Sequence, residues 1–518
     1  MEENKMSKGK EILAILLLTM VIGTGTLAWI VWSSKDNTKM NVTIGDLADV
    51  SFKTGNDINI SNLSPSFYYD DGALTEFSIR KKKGLTTELN TNIYLDITSI
   101  SDELKNDNFK YVLLSSSDGN TYNEVISSSF KDASVGKLDI VTDSPLTDGK
   151  TYYKFYIWID GNNENNETMQ GKSLKGTLNV DVSTPKGDAT TKIEALDDGT
   201  MGDSGSGVYK ITHSAIQAES SATGNDISAV TDYRYYGSSP NNYICLDMEG
   251  GSTCPDKHLY RIIGSIYEEK ENTNRLKVIK STPLTDGTTK GFSWDYKSVD
   301  SWDNIWATIT SGNYSNSLTS GSQLMKLLNS GLWWNGTSGS YYNNSTTATT
   351  VNFTNYKLSD KAKSYITTSR YYLGGYNKSN GVMTNQFYAY ERGTTRYDTN
   401  RPLYWDGMVG LMYPSDYGYA AGNSCVTGTD PYNYNNECKN KDWLWMTNSN
   451  DYSKDAEWLM SPYSGGAYFA FYVCSSGFVV RFFNIVYTPY SVRPVFYLNS
   501  SASISSGEGT LNNPYILK

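Results

Sequence analysis

The chain has 518 residues and a formal net charge of −10. That length exceeds one ordinary domain, and the acidic balance excludes a nucleic-acid binder that works by neutralising phosphates. Only 19% of residues are charged while tyrosine alone counts 41, a mixture that favours strands and polar loops over long helices.

In chain order, Lys5, Lys8 and Lys10 precede an almost uncharged run from Ile12 to Trp32. Roughly 20 apolar residues span a bilayer core. Trp29 and Trp32 sit where an aromatic belt would lie, and the preceding lysines place the N-terminus inside. Residues 1–35 are therefore expected to form a cytoplasmic tip and a single-pass anchor in the cell membrane, with the bulk of the chain extracellular. A cleaved signal peptide is the alternative; its apolar region is normally shorter and ends in Ala-x-Ala.

Residues 40–182 carry short strand-like runs, "TNIYLDITSI", "KYVLLSSSDG", "TYYKFYIWIDG" and "KGTLNVDVS", bounded by turn residues. No helical period interrupts them, so a β-sandwich stalk is expected. The segment "GNNENNETMQGKS" ends like a phosphate-binding loop, but Asn166 occupies the place of its first glycine and rules the motif out. Residues 183–203, "STPKGDATTKIEALDDGTMGD", read as a linker.

Residues 204–518 are expected to form an α+β domain. Leu259–Ile266 and Leu276–Lys280 suggest a strand pair. "SGSQLMKLLNSGLWW" offers a serine cap, Leu324, Leu327 and Leu328 on one face, and Gly331 to end the helix. Ser359 caps a second short helix, long loops such as "WDGMVGLMYPSDYGYAAG" follow, and strands run to the end. Cys245 with Cys254 and Cys425 with Cys438 flank turn-rich segments; outside the cytosol each pair is expected to close a disulfide, one of three possible pairings. Cys474 is left over. Neither pair is a C-x-x-C, and His213 and His258 are far apart, so no metal site is expected and both histidines read as ordinary surface or satisfied residues. Asp406 and Asp416 lie in tyrosine-rich loops, where hydrogen bonding to turns is their expected duty.

The stretch Trp458–Leu498 is crowded with aromatics yet interspersed with Ser and Gly. Trp458, Pro462, Val492, Arg493 and Pro494 read as scaffold, and Ala470, Val473, Gly477, Val479 and Val486 as the pleat between. In "VVRFF" large apolar groups occupy successive positions, so either both faces are covered or some aromatics are exposed. Exposed aromatic clusters mark binding surfaces. The candidate ligand-binding residues are Tyr468, Phe469, Tyr472, Cys474, Ser475, Phe478, Arg481, Phe482, Phe483, Ile485, Tyr487 and Tyr490, with Tyr341, Tyr342, Tyr413, Tyr417 and Tyr419 extending the patch.

The segments "DYRYYGSSPNNYI", "LYRIIGSIYE", "GLMYPSDYGYAAGNSC", "WLMSPYSGG" and "VRPVFYLNSSASISSGEGTLNNPYIL" resemble a family of large bacterial cell-surface proteins. Their C-terminal domain is similar to the C-type-lectin-like fold shared with formylglycine-generating enzymes. The first domain also resembles camelysin-like secreted fibre subunits. The resemblance implies a mainly β chain with an N-terminal transmembrane helix, a β-sandwich and a C-type-lectin-like domain whose last strands and loops build the ligand face. It also implies, for some relatives, diversification by retroelements that mutate adenines of asparagine codons. Such changes never give Lys, Glu, Gln, Trp or Met, and none of these occurs from Tyr463 to Ser491. The calcium-binding lectin motifs have no match: "WDN" at Trp302–Asn304 runs in another order.

The expected function is a membrane-anchored surface protein that binds an extracellular protein or glycan, with no nucleic acid and no cofactor, and not an enzyme. The alternatives are a structural fibre or envelope subunit and an oxidase of the formylglycine-generating type.

Overall fold

In the strand Leu89–Ile100, every second side chain from Leu89 to Ile97 is buried, the period-two pattern of a strand with one face on a core. The computed structural model describes residues 40–44, 47–83, 85, 88–162, 166–185, 187–197, 199, 201, 205–216, 227–294, 322–344, 347–376, 379–393, 403–446, 456–463, 470–480 and 488–518. They divide into two compact units, the first ending at Pro185.

In the first unit, Leu89–Ile100 belongs to a four-stranded antiparallel sheet in the order Asp57–Ser61, Ser173–Ser183, Leu89–Ile100, Gly136–Leu146. A second sheet runs Met40–Ile44, Ala48–Phe52, Ala73–Lys81, Lys150–Asp160, Phe109–Ser116, Asn123–Ser129, and the short strand Pro65–Ser66 adds in parallel to the end of Lys150–Asp160. Leu95, Ile97, Leu174 and Leu178 of one sheet share a core with Val50, Phe77, Leu113 and Phe155 of the other. Two sheets, antiparallel apart from that one short pair and closed on one core, make this unit a β-sandwich.

The second unit is built on a nine-stranded sheet. At its centre Leu259–Glu268 pairs with Thr273–Lys280, whose eight residues are all buried. The last strand, Tyr515–Leu517, lies parallel to Tyr243–Cys245, so the end of the unit closes beside an early strand. Short helices and small sheets pack around this frame. Ser322 caps Gln323–Asn329 by accepting from the Met325 amide, and Leu324, Leu327 and Leu328 are buried. The helix stops before Gly331, after which a single turn, Leu332–Asn335, begins. Ser359 caps Asp360–Ser364 in the same way.

Two segments read as irregular are structured. Within the expected linker, Asp188–Glu194 is a helix whose Ala189 and Ile193, four residues apart on one face, enter the second unit's core. Low apolar content hid it, because two well-placed side chains suffice. Within the expected long loops, Tyr404–Gly407 is a strand and Pro414–Tyr419 a buried helix with proline in its first turn. The apolar run Ile12–Trp32 lies outside the described residues; among those described, no helix is long and apolar enough to cross a membrane.

Candidate functional site

The C-terminal segment begins with the strand Glu457–Pro462, which pairs with Ala470–Val473, which in turn pairs with Val479–Val480. All four residues of Ala470–Val473 are buried. Both faces of this strand are covered, so alternation exports none of its side chains. Tyr472 and Tyr490 are therefore core residues and not surface ones: they are 5% and 3% exposed and stack at 5.0 Å. Each also packs on the ring of Trp458, at 6.1 and 4.7 Å, and the Trp458 indole N–H donates to the Phe292 carbonyl. The residues read as scaffold and pleat, Trp458, Val492, Arg493, Ala470, Val473 and Val479, are buried.

The turn between the last two strands faces outward. The Cys474 amide donates to the Phe478 carbonyl, and the Gly477 amide to that of Cys474. Gly477 has φ +77°, and a Cβ there would meet the Lys439 chain at 2.7 Å. Ser475 is exposed, while Cys474, a free thiol, and Phe478 are half-buried. The Lys439 ammonium lies 4.7 Å from the centre of the Phe478 ring. Of the expected face, the structure thus gathers Cys474, Ser475 and Phe478 at one turn. Tyr468, Phe469, Arg481, Phe482, Phe483, Ile485, Tyr487 and the pleat residue Val486 lie outside the described residues.

The tyrosines expected to extend the patch mostly do not. Tyr341, Tyr413, Tyr417 and Tyr419 are no more than 2% exposed; Tyr342 is 38% exposed. Three of the buried hydroxyls donate to backbone carbonyls: Tyr341 to Ser293 at 2.7 Å, Tyr413 to Tyr372 at 3.0 Å and Tyr417 to Gly477 at 2.9 Å. A core built partly from irregular segments leaves carbonyls without ladder partners. Tyrosine fills space with its ring and satisfies them with its tip.

Beneath these rings lies a buried charge network. Arg234 bonds Asp232 at 2.8 Å and Asp416 at 3.0 Å, and Lys277 bonds Asp416 at 2.5 Å. Burial by itself would raise the Asp416 carboxyl, but the Lys277 and Arg234 charges outweigh it and hold the group below its usual range. His213 bonds Asp232 at 2.9 Å and stacks on Tyr388 at 3.6 Å; burial lowers its pKa despite the carboxylate. Glu391, pushed up to about 7 by burial, accepts from the Ser415 amide and hydroxyl beside Arg392. Asp406 pairs with Arg370 at 3.0 Å. Asp406 and Asp416 thus serve ion pairs first, although Asp416 also accepts from the Tyr413 amide that opens its helix. Paired and sealed, the network is suited to fixing the core's arrangement and not to proton transfer with a solute.

Cys245–Cys254 and Cys425–Cys438 are disulfides, and Cys425 and Cys438 are buried. Inside the first disulfide loop, Asp247 and Glu249, with His258 just beyond, bring ligand-type atoms within 4.8 Å of one another. These carboxylates already serve the fold: Asp247 accepts from Ser359, and Glu249 pairs with Lys257 at 2.8 Å and with His258 at 3.1 Å.

A third feature escaped sequence reasoning. Phe67, Tyr68 and Tyr69 stand 68%, 69% and 40% exposed on the first unit. Three successive aromatics between "PS" and "DDG" were the available signal, because alternation cannot bury all three. Comparison with protein-family models and with curated proteins finds no match for this chain.

Proposed function

We propose that this is an exported, membrane-anchored surface protein whose second unit, a C-type-lectin-like domain, presents a ligand-binding face at its C-terminal segment for adhesion or recognition. The observation that carries the reading is the contrast within one hairpin. Its strand Ala470–Val473 is sealed on both sides and Val479 opposite it is buried, while its turn points Ser475 outward and leaves Cys474 and Phe478 partly open. A fixed frame with an open tip is what a recognition loop needs. The two disulfides accord with an oxidising location. Closure of the unit by its last strand against an early one accords with the lectin-like topology.

The test is binding of the purified chain to whole cells and to protein and glycan arrays. Phe478→Ala should weaken binding by about 10-fold or more while the chain keeps its wild-type circular dichroism and a cooperative melt. Unchanged binding removes the site assignment. If the segment is also diversified, gene copies from related isolates will vary within 464–487 and keep Trp458, Tyr472 and Tyr490. Scattered variation that includes those three core residues counts against it.

A further inference from the structure

We infer that the first unit carries its own binding site for a neutral carbohydrate, on the outer face of the sandwich sheet that contains Lys150–Asp160. The site is a cleft of about 420 Å³ lined by Phe67, Tyr68, Tyr69, Asp70, Trp158, Asp160 and Asn162. It lies on the other unit from the C-terminal face and does not depend on that reading.

Exposure alone is a weak argument, because folded proteins leave much apolar surface open. Here the exposed rings sit on a segment that is tied down. Pro65–Ser66 pairs in parallel with Ile159 and Asp160, and the Gly161 amide donates to the Ser66 carbonyl at 2.8 Å. The Ser66 hydroxyl donates to Asp71 at 2.5 Å and accepts from the Tyr68 amide at 3.1 Å. Tyr69–Asp71 then forms one 3-10 turn. At Gly72 the backbone presses onto the strand so closely that a Cβ would meet the Ile157 carbonyl oxygen at 2.4 Å. Tyr69 is fixed from below by the rings of Tyr156, at 5.3 Å, and Trp158, at 6.1 Å. Phe67 and Tyr68 are thus displayed on a braced platform, and a rigid aromatic surface loses little entropy when a ligand settles on it.

The polar groups choose among ligands. Asp160 is already neutralised by Lys110 at 2.6 Å and holds Asn162 through its amide. Asp70 is exposed and makes no ion pair or hydrogen bond among the described residues. A free carboxylate beside Asp71 repels anionic wall polymers, and the chain's net charge of −10 acts in the same direction. Open rings with carboxylate and amide acceptors at their edge suit a pyranose. Its C–H face lies on an aromatic ring while its hydroxyls donate to Asp70 and meet Asn162. The cleft falls in the volume range of small-molecule sites, roughly 300–1,000 Å³, and is larger than one ammonium group needs.

The experiment uses the full chain against immobilised neutral oligosaccharides (gluco-, manno-, galacto- and N-acetylglucosamine series), with a lysine-rich peptide alongside. The expected result is retention by at least one neutral series, weakened about 10-fold or more in Phe67→Ala and in Tyr68→Ala. Asp70→Asn should weaken it several-fold. Both rings already face solvent, so these variants should keep the wild-type melting temperature and circular dichroism. Leu511→Ala, which removes a 56% exposed side chain on the other unit, should bind as wild type. No neutral series bound, binding that survives loss of both rings, or ring-dependent binding of the basic peptide alone would each overturn the assignment.

Discussion

Tyrosine is the residue on which the second unit turns. Tyr371, Tyr413, Tyr417 and Tyr434 are all at most 2% exposed, and each donates its hydroxyl to a backbone carbonyl. The Tyr417 bond reaches Gly477, at the base of the outward turn of the C-terminal hairpin. Tyr417→Phe should cost about 1–2 kcal/mol in chemical denaturation, because it strands a buried acceptor without opening a cavity. Glu268 supplies a test by pH. Burial raises its carboxyl to about 7, against hydrogen bonds from the Arg370, Glu271 and Lys270 amides. The unfolded chain releases this proton near the ordinary value, about 4.5, and the folded chain only near 7. The group's contribution is therefore present below about pH 4 and lost as pH rises toward 7. Glu268→Gln has no proton to lose. Relative to that variant, the wild type should lose up to about 3 kcal/mol between pH 4.5 and 7.5, read from urea midpoints. A difference that stays flat across that range would show Glu268 ionised throughout.

Among elements, the central strand pair decides what the neighbours can do. Thr273–Lys280 is buried at every position and includes Arg275, Lys277 and Lys280. Lys277 is tolerable there because the helix Pro414–Tyr419 brings Asp416 to it. Val230–Gly237 pairs with Leu259–Glu268 at Tyr233–Ser265 and Arg234–Gly264, where the strand Leu259–Glu268 carries an irregularity between Ile262 and Gly264. A Cβ at Gly264 would stand 2.2 Å from the Tyr233 carbonyl oxygen and 3.0 Å from the Arg234 Cα, and backbone atoms cannot yield as a flexible side chain can. Gly264→Ala should therefore lift Val230–Gly237 away and carry Arg234 off Asp416. The expected loss is about 3 kcal/mol or more, seen as a lowered thermal midpoint or as insoluble product. A variant as stable as wild type would mean that the two strands slide apart at no cost.

The whole molecule places all five cysteines in the second unit and none in the first. The Cys425–Cys438 link spans 13 positions, and closing a loop of that length is worth about 3 kcal/mol. Each unit has its own core, so calorimetry should resolve two transitions. Reductant should lower one by roughly 5 °C or more and leave the sandwich transition in place. Equal movement of both would show that the units do not unfold separately. Much of this organisation was legible in the chain. Alternation in "TNIYLDITSI", the caps at Ser322 and Ser359, the pair Leu259–Ile266 with Leu276–Lys280, and the spacing of the four bridged cysteines are local signals. Local signals survive because neighbouring residues alone create them. The direction in which an aromatic side chain faces is not local. Tyr472 and Tyr490 became core because Trp458 covers them, Tyr413 and Tyr417 because carbonyls from distant segments await their hydroxyls, and Phe67 and Tyr68 stayed open because nothing described packs above their braced turn. Local chemistry in the chain set several of the strands, the two serine caps and which cysteines could pair; which aromatic rings became interior and which stayed open to solvent was left to packing, since burial depends on what the rest of the chain brings to a surface.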